Sequence, residues 1–219
     1  VAVMTDYTCI PFWEETNCDY YITPHETLNA EIIKRGLPEE KLKPFGIPVS
    51  PACCSDMTKQ EAKRQLGLKE GVKYILVSGG SMGAGDIWRL VNKLSRSAGH
   101  NEKIILICGS NKKLYSRFKK AAIRGVEVKA HVSNMPVYMK ACDIIYTKPG
   151  GLTSTEAAVA GIPIVHTSPI PGCETKNRKF FSQNGLSVTA RTVSGTVKRG
   201  TRLIESPELC SEMICRQTE

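Results

Sequence analysis

The sequence lacks a hydrophobic run long enough to cross a lipid bilayer. A spanning helix needs about 18 consecutive apolar residues, and the longest apolar stretch here, residues 157–166, is interrupted by glycine and proline. The first residues carry neither a basic leader nor a long apolar run, so no secretory signal is readable. Since the chain also begins without methionine, we expect its start to be a cut.

Paired cysteine spacing is also missing. The cysteines number nine, an odd count, and no C-x-x-C pair of the kind typical of structural zinc sites occurs. Cys108 and Cys142 lie inside apolar runs that resemble buried strands. We therefore predict reduced thiols in a cytoplasmic chain, with no zinc or other metal and no cofactor.

Two nucleotide-binding signatures are absent. The turn GGSMGAG at residues 79–85 lacks the lysine of a Walker loop, which argues against an ATPase. The chain also lacks the complete G-x-G-x-x-G pattern with a distal acidic residue, which argues against a dinucleotide-dependent oxidoreductase. Because glycines admit a ligand close to the backbone and a helix start favours phosphate, this turn could hold a diphosphate. A plain tight turn is the alternative.

The sequence has few charges of negative sign relative to positive ones. Its net charge is +9 and its isoelectric point is about 9.1, which suits nucleic acid, an anionic membrane surface or a phosphorylated small molecule. Charge alone does not choose among these partners.

Short apolar runs alternate with helix-compatible segments from about residue 72 onward. Their lack of strict polar alternation is typical of strands covered on both faces, and a doubly wound parallel α/β sheet is predicted. The predicted strands are residues 74–78, 103–108, 126–130, 143–147, 163–167 and 186–190.

The first 48 residues predict a separate, incomplete α/β unit. They contain two strand-like runs, at residues 1–5 and 19–23, and a helix at 25–35. The segment FGIPVSP at 45–51 disfavours helix and central strand and suits a linker. We predict a boundary there, with residues 1–48 as the carboxyl end of one domain and residues 49–219 as a second domain.

Polar loops follow several predicted strands. The segment CGSN at 108–111 suits a helix cap, and TKPGGLTSTEA at 147–157 brings Glu156 to a helix predicted to be capped at Thr153 and Ser154. A carboxylate there can accept both hydroxyls of a ribose, although a capping box with Thr153 would also explain it. In PIPGCETKN at 169–177, Glu174 and Asn177 can bind sugar hydroxyls, and surface polarity is the alternative.

Parallel strands end at one edge of their sheet, and ligands of doubly wound folds bind at that edge. The four loops are therefore expected to converge on one site.

Together these strings resemble the diacylglycerol glycosyltransferases of glycosyltransferase family 28, which include monogalactosyldiacylglycerol synthases and processive diacylglycerol glucosyltransferases. The resemblance covers nearly the whole chain and rests on TDYTCIPFW, GIPVSP, GGSMG, ICGSNKKL, ACDIIYTKPGGLTSTEA and PIPGCETKN. It implies a GT-B fold, with a doubly wound Rossmann-like C-terminal domain for the UDP-sugar and a remnant of an N-terminal Rossmann-like domain for the acceptor.

The resemblance also implies a function. The full protein would transfer a hexose from UDP-glucose or UDP-galactose to a lipid, with inversion, at an anionic membrane surface on the inner face of the cell membrane, and nucleic acid would not be a partner. The implied UDP-sugar-binding residues are Gly80, Ser81, Gly83, Gly109, Asn111, Val132, Met135, Gly150, Gly151, Leu152, Thr153, Glu156, Gly172, Glu174 and Asn177. Among them, Val132 and Met135 would contact the uracil.

This sequence departs from the family in several places. His131 and Val132 stand where the family commonly has Gly-Phe, Ile10 replaces a frequent histidine, and Cys173 replaces a glutamine. The family's loop that bears the catalytic base is not found, so the chain alone is expected to be inactive. Two alternatives stay open: a nucleotide-sugar-binding subunit that needs a separate acceptor partner, and an enzyme like the peptidoglycan N-acetylglucosaminyl transferase.

Overall fold

The computed structural model describes residues 1–79 and 86–218 of the chain. They form two parallel sheets, one of three strands and one of six. The strands are β1 (Ala2–Val3), β2 (Tyr21–Ile22), β3 (Leu42–Lys43), β4 (Lys73–Ser78), β5 (Glu102–Ile107), β6 (Val126–Lys129), β7 (Ile144–Thr147), β8 (Ile164–His166) and β9 (Val188–Thr189).

Helices cover both faces of the larger sheet. The α-helices are α1 (Asn29–Lys34), α2 (Lys59–Gln65), α3 (Ile87–Ser97), α4 (Lys112–Ala121), α5 (Met135–Ala141), α6 (Gly151–Val159), α7 (Cys173–Gln183), α8 (Val193–Glu205) and α9 (Pro207–Thr218). Four short 3-10 helices occupy Trp13–Glu15, Glu26–Leu28, Glu39–Lys41 and Pro51–Cys54.

The larger sheet has the strand order β6-β5-β4-β7-β8-β9, and all its neighbouring strands run parallel. All six strands predicted for it are confirmed, with ends shifted by a residue or two. The order reverses between β4 and β7, so the switch point where ligands of such folds bind lies at the carboxyl ends of these two strands. In the sequence, the glycine-rich segment 79–85 follows β4, and the KPGG segment 148–151 follows β7.

The core explains why the strands are nearly continuous in hydrophobic residues. Along β4, Ile75 and Val77 face one buried cluster with α3, α4 and α8, whereas Tyr74 and Leu76 face a second cluster with α5, α6 and α7. Successive side chains in a strand point to opposite faces, and both faces are covered here. Cys108 and Cys142 are buried in these clusters, as expected from the apolar runs around them.

The smaller sheet differs from the sequence prediction in two details. A third strand, β3, pairs with β2, although its two residues are too few to give a readable pattern. The helix predicted at 25–35 is a 3-10 turn followed by the six-residue α1. Met4, Tyr21, Ile32 and Leu42 pack into a separate small core.

One predicted helix start is wrong. α6 begins at Gly151 with Gly150 as its cap, so Thr153 lies inside the first turn and caps nothing. The extended Pro149-Gly150 segment leads directly into the helix, three residues earlier than a cap at Thr153 would place it. The capping-box explanation of Glu156 is therefore wrong as well.

Candidate nucleotide site at the carboxyl edge

The loops after β5, β6, β7 and β8 all begin at the carboxyl edge of the larger sheet. Gly80, Ser81 and Gly83 lie outside the described residues, so the structure carries no statement on their part in the site. The remaining predicted residues fall on the described loops and on the first two turns of α5, α6 and α7.

The loop after β5 is organised by its helix cap. Gly109 has a positive φ of 59°, which glycine adopts readily. The side chain of Asn111 accepts a hydrogen bond from the Leu114 N–H at 2.9 Å and caps α4. Capping thus explains Asn111 without a ligand, while its place at the carboxyl edge leaves the predicted binding role open to test.

Val132 and Met135 lie beside the second core cluster. Both side chains are partly buried and pack against it, and Met135 is the first residue of α5. An apolar surface at this place would suit a base, and the uracil contact stays a prediction.

The start of α6 presents free backbone N–H groups. The first N–H groups of a helix have no acceptor within the helix, and here they belong to Gly151, Leu152 and Thr153. Leu152 is half exposed. A helix start with these groups favours a phosphate.

Glu156 lies in the second turn of α6 and is partly buried. Burial raises the pKa of its carboxyl above the usual value. Burial and then the nearby Glu156 charge raise the pKa of the Cys53 thiol, so the carboxylate lies close to the 3-10 turn at Pro51–Cys54. In the described part of the chain, no hydrogen bond or ion pair engages the Glu156 carboxylate. Its two oxygens are therefore available to a ligand.

Glu174 links the loops after β7 and β8. Its Oε1 lies 3.0 Å from Lys148 Nζ, and its Oε2 accepts the Ile170 N–H at 2.6 Å. The side chains of Lys148 and Glu174 are mostly buried. This pair holds the KPGG segment against the start of α7, next to Gly172, which has a φ of 115°. A carboxylate has further lone pairs, and the contact of Glu174 with a sugar hydroxyl stays a prediction.

Asn177 is fully buried, and its side chain contacts the first unit of the chain. Its Oδ1 accepts the Tyr7 N–H at 2.7 Å, and its Nδ2 donates to Asp6 Oδ1 at 2.7 Å. Asp6 and Tyr7 carry no predicted role, although both stand in the TDYTC string. No pattern in a single sequence joins residues separated by about 170 positions.

Behind α6, a buried histidine joins two serines. His166 Nε2 lies 3.0 Å from Ser154 Oγ, and its Nδ1 lies 3.0 Å from Ser187 Oγ. Burial, and secondarily the positive charge of Arg178, lowers the pKa of His166 to about 3. The imidazole is therefore neutral, and one ring nitrogen donates a hydrogen bond while the other accepts one. The PIVHT run predicted only a strand here, so this role was missed.

One large cavity among the described residues lies elsewhere. It measures about 1110 Å³ and is lined at the amino-terminal side of β5 and β6 by residues that include His100, Glu102, Lys103 and Arg124. It is remote from the edge where parallel sheets of this type bind ligands. In residues 1–79 and 86–218, no three His, Cys, Asp or Glu side chains gather to hold a metal, and no helix could cross a bilayer.

Two family profiles match the chain. Residues 1–49 match monogalactosyldiacylglycerol (MGDG) synthase, and residues 74–203 match the glycosyltransferase family 28 C-terminal domain. The second match alone covers more than half of the chain.

Individual relatives agree with these profiles. The chain is 29% identical over 217 residues to a processive diacylglycerol beta-glucosyltransferase of Staphylococcus saprophyticus, covering 97% of the chain and 55% of that protein. It is 33% identical over 193 residues to a probable chloroplastic monogalactosyldiacylglycerol synthase of Nicotiana tabacum, covering 84% and 36%. The chain thus spans about half the length, or less, of the curated relatives it matches.

Solved structures share the fold at lower identity. MurG of Acinetobacter baumannii superposes with a TM-score of 0.66 at 17% identity, covering 98% of this chain and 60% of that one. Anabaena HepE in complex with UDP-glucose gives a TM-score of 0.59 at 14% identity, covering 91% and 58%. These likenesses establish the GT-B architecture. With the profile matches, they show that this chain belongs to glycosyltransferase family 28, in its diacylglycerol glycosyltransferase branch.

Proposed function

We propose that this chain is the donor-binding part of a glycosyltransferase that moves a hexose from UDP-glucose or UDP-galactose to diacylglycerol. The observation that carries the proposal is the partly buried Glu156 carboxylate, which no described side chain engages, in the helix that follows the switch-point strand β7. Its two oxygens can accept the two ribose hydroxyls of a uridine nucleotide.

The start of α6 would stabilise the negative charge of the leaving diphosphate. As the bond between the sugar and UDP breaks, negative charge grows on the diphosphate. The N–H groups of Gly151, Leu152 and Thr153 and the positive end of the helix dipole stabilise such charge without reorganisation. We place the diphosphate there and at the glycine-rich turn, the uracil beside Val132 and Met135, and the hexose toward Glu174.

The attacking hydroxyl needs a base, and we assign that base to protein outside these 219 residues. In this scheme the base takes the proton of the lipid hydroxyl, the hydroxyl oxygen attacks the anomeric carbon, and UDP leaves from the opposite face. The configuration at that carbon is inverted. The chain alone would then bind the donor without transferring the sugar.

Titration calorimetry of this chain tests the donor assignment. We expect UDP, UDP-glucose and UDP-galactose to bind saturably, whereas NADH should give no saturable heat, because the dinucleotide pattern is incomplete. NADH binding in preference to UDP would contradict the proposal. Transfer assays belong with a protein that also contains the acceptor domain.

We also propose that the protein meets its lipid acceptor at an anionic membrane surface through α3 and α4. These helices contain eight lysines and arginines and no acidic residue, and the rest of the chain carries a net charge of only +1. Trp88 and Phe118 pack together between the two helices, and the Arg117 guanidinium lies 3.9 Å from the centre of the Trp88 ring. Each basic residue near an anionic surface contributes about 1 kcal/mol.

Vesicle flotation tests this surface. Replacing the four exposed lysines of α4 (Lys112, Lys113, Lys119 and Lys120) with glutamine should reduce binding to phosphatidylglycerol vesicles at least about tenfold, since several charges act together. The matched control replaces four exposed lysines elsewhere, namely Lys34, Lys69, Lys103 and Lys179. Equal losses in both variants, or equal binding to neutral vesicles, would contradict the assignment to α4.

A further inference from the structure

The segment that follows β1 crosses from the small sheet onto the starts of α6 and α7. Its residues Thr5, Asp6 and Tyr7, here called the junction segment, make specific contacts with both helices. Asn177 of α7 uses its oxygen to accept the Tyr7 N–H and its nitrogen to donate to the Asp6 carboxylate, each at 2.7 Å.

Tyr7 adds contacts to both helices. Its ring stacks on Phe180, with centroids 4.4 Å apart, and meets the edge of Phe181 at 5.0 Å. Its hydroxyl lies 2.9 Å from Thr155 Oγ1, which itself donates to the Gly151 carbonyl. Since the single Thr155 proton is used there, the Tyr7 hydroxyl is the donor to Thr155. Burial raises the pKa of Tyr7, so the phenol keeps the proton that this bond needs.

The backbone of the junction segment fits closely against α6. A Cβ atom at Gly151 would overlap the carbonyl of Thr5. The first residue of α6 therefore has no side chain because the junction segment occupies that space. Three independent contacts, at Gly151, Thr155 and Asn177, tie the same three residues to the two helices that carry Glu156 and Glu174.

These contacts change the expected role of Asn177. The residue is fully buried, and its amide already makes one strong bond with each of its polar atoms, one of them to a carboxylate. A sugar hydroxyl could reach this amide only if the junction segment moved away from α7.

We propose that Asp6, Tyr7 and Asn177 form a clasp that fixes the starts of α6 and α7 relative to each other, and that Asn177 is a positioning residue rather than a ligand of the sugar. The clasp thereby sets the spacing between Glu156 and Glu174. This inference rests on the proposed function, because the clasp acts on the donor site.

Exchanging the two polar partners tests the clasp. Asn177→Asp places two carboxylates against each other, and we expect it to weaken UDP-glucose binding about tenfold or more. Adding Asp6→Asn restores an amide-to-carboxylate bond and leaves an oxygen at position 177 for the Tyr7 N–H, so the double variant should regain most of the affinity. Asp19→Ala, at an exposed position, is the control and should change nothing.

The outcomes separate the two roles of Asn177. Rescue of UDP-glucose affinity by Asp6→Asn supports the clasp. Loss in Asn177→Asp without any rescue, or full affinity in every variant, overturns it, and the former result would make Asn177 a ligand of the sugar. If the unmodified chain binds no uridine nucleotide, the proposed function fails. The contact itself is then judged by whether Asp6→Asn restores the thermal stability that Asn177→Asp removes.

Discussion

Replacing Glu156 with alanine should weaken UDP binding by about 30- to 100-fold and leave the fold intact. A hydrogen bond to a charged group contributes about 1.5–3 kcal/mol, and the loss of one to two such bonds to ribose hydroxyls corresponds to about 2–3 kcal/mol in binding. The fold should survive because the described residues make no hydrogen bond or ion pair with this carboxylate. Titration calorimetry measures the affinity, and the melting temperature reports the fold.

The Glu156 assignment also predicts a pH dependence. Because burial raises the pKa of this carboxyl, it takes up its proton at a higher pH than an ordinary glutamate. The protonated form loses the charge that strengthens the ribose bonds, so UDP affinity should fall as the pH drops into the acid range. Glu205→Ala is a suitable control, since Glu205 is exposed at the end of α8. Unchanged UDP affinity in Glu156→Ala would refute the ribose contact.

The free energy of unfolding should fall by about 2 kcal/mol between pH 7 and pH 5 because of His166. Its pKa is about 3 in the folded protein and near 6.5 in an unfolded chain. Below pH ~6.5 the unfolded state therefore binds a proton that the folded state does not. The free energy of unfolding therefore keeps its full value above that pH. It decreases by about 1.4 kcal/mol per pH unit as the pH falls from there toward 3.

Denaturant unfolding at several pH values isolates this contribution. In His166→Gln the change of unfolding free energy between pH 5 and pH 7 should be smaller. The glutamine that then lies between the Ser154 and Ser187 hydroxyls has no ionisable group. His100→Gln, at an exposed position, should keep the slope of the unmodified chain. An unchanged slope in His166→Gln would show that the buried imidazole does not govern the acid sensitivity.

The fold of the six-stranded unit was largely predictable from its hydrophobic pattern. Buried parallel strands give continuous runs of isoleucine and valine, and such runs located all six strands of the larger sheet. Their parallel pairing then brings the loops to one edge. The two-residue strand β3 offers too short a pattern to be read. The helix α6 begins earlier than predicted because Gly150, at the end of an extended Pro-Gly segment, caps it in place of a hydroxyl residue.

The site residues were predicted from the loops that follow the strands and from the family resemblance. Their hydrogen-bond and ion-pair partners could not be predicted. Lys148, Asp6 and Tyr7 act through contacts that span between 26 and 171 positions of sequence. No local periodicity encodes such pairs, because they arise only when the two sheets and their helices have packed. The same limit applies to His166, which lies in a run whose pattern predicts a strand and nothing more.

The most direct measurement of the central claim is a crystal structure of this chain grown with UDP. We predict that the diphosphate lies on the N–H groups at the start of α6 and that both ribose hydroxyls contact the Glu156 carboxylate. UDP bound with its ribose away from Glu156, or in the cavity at the opposite edge of the sheet, would contradict the account.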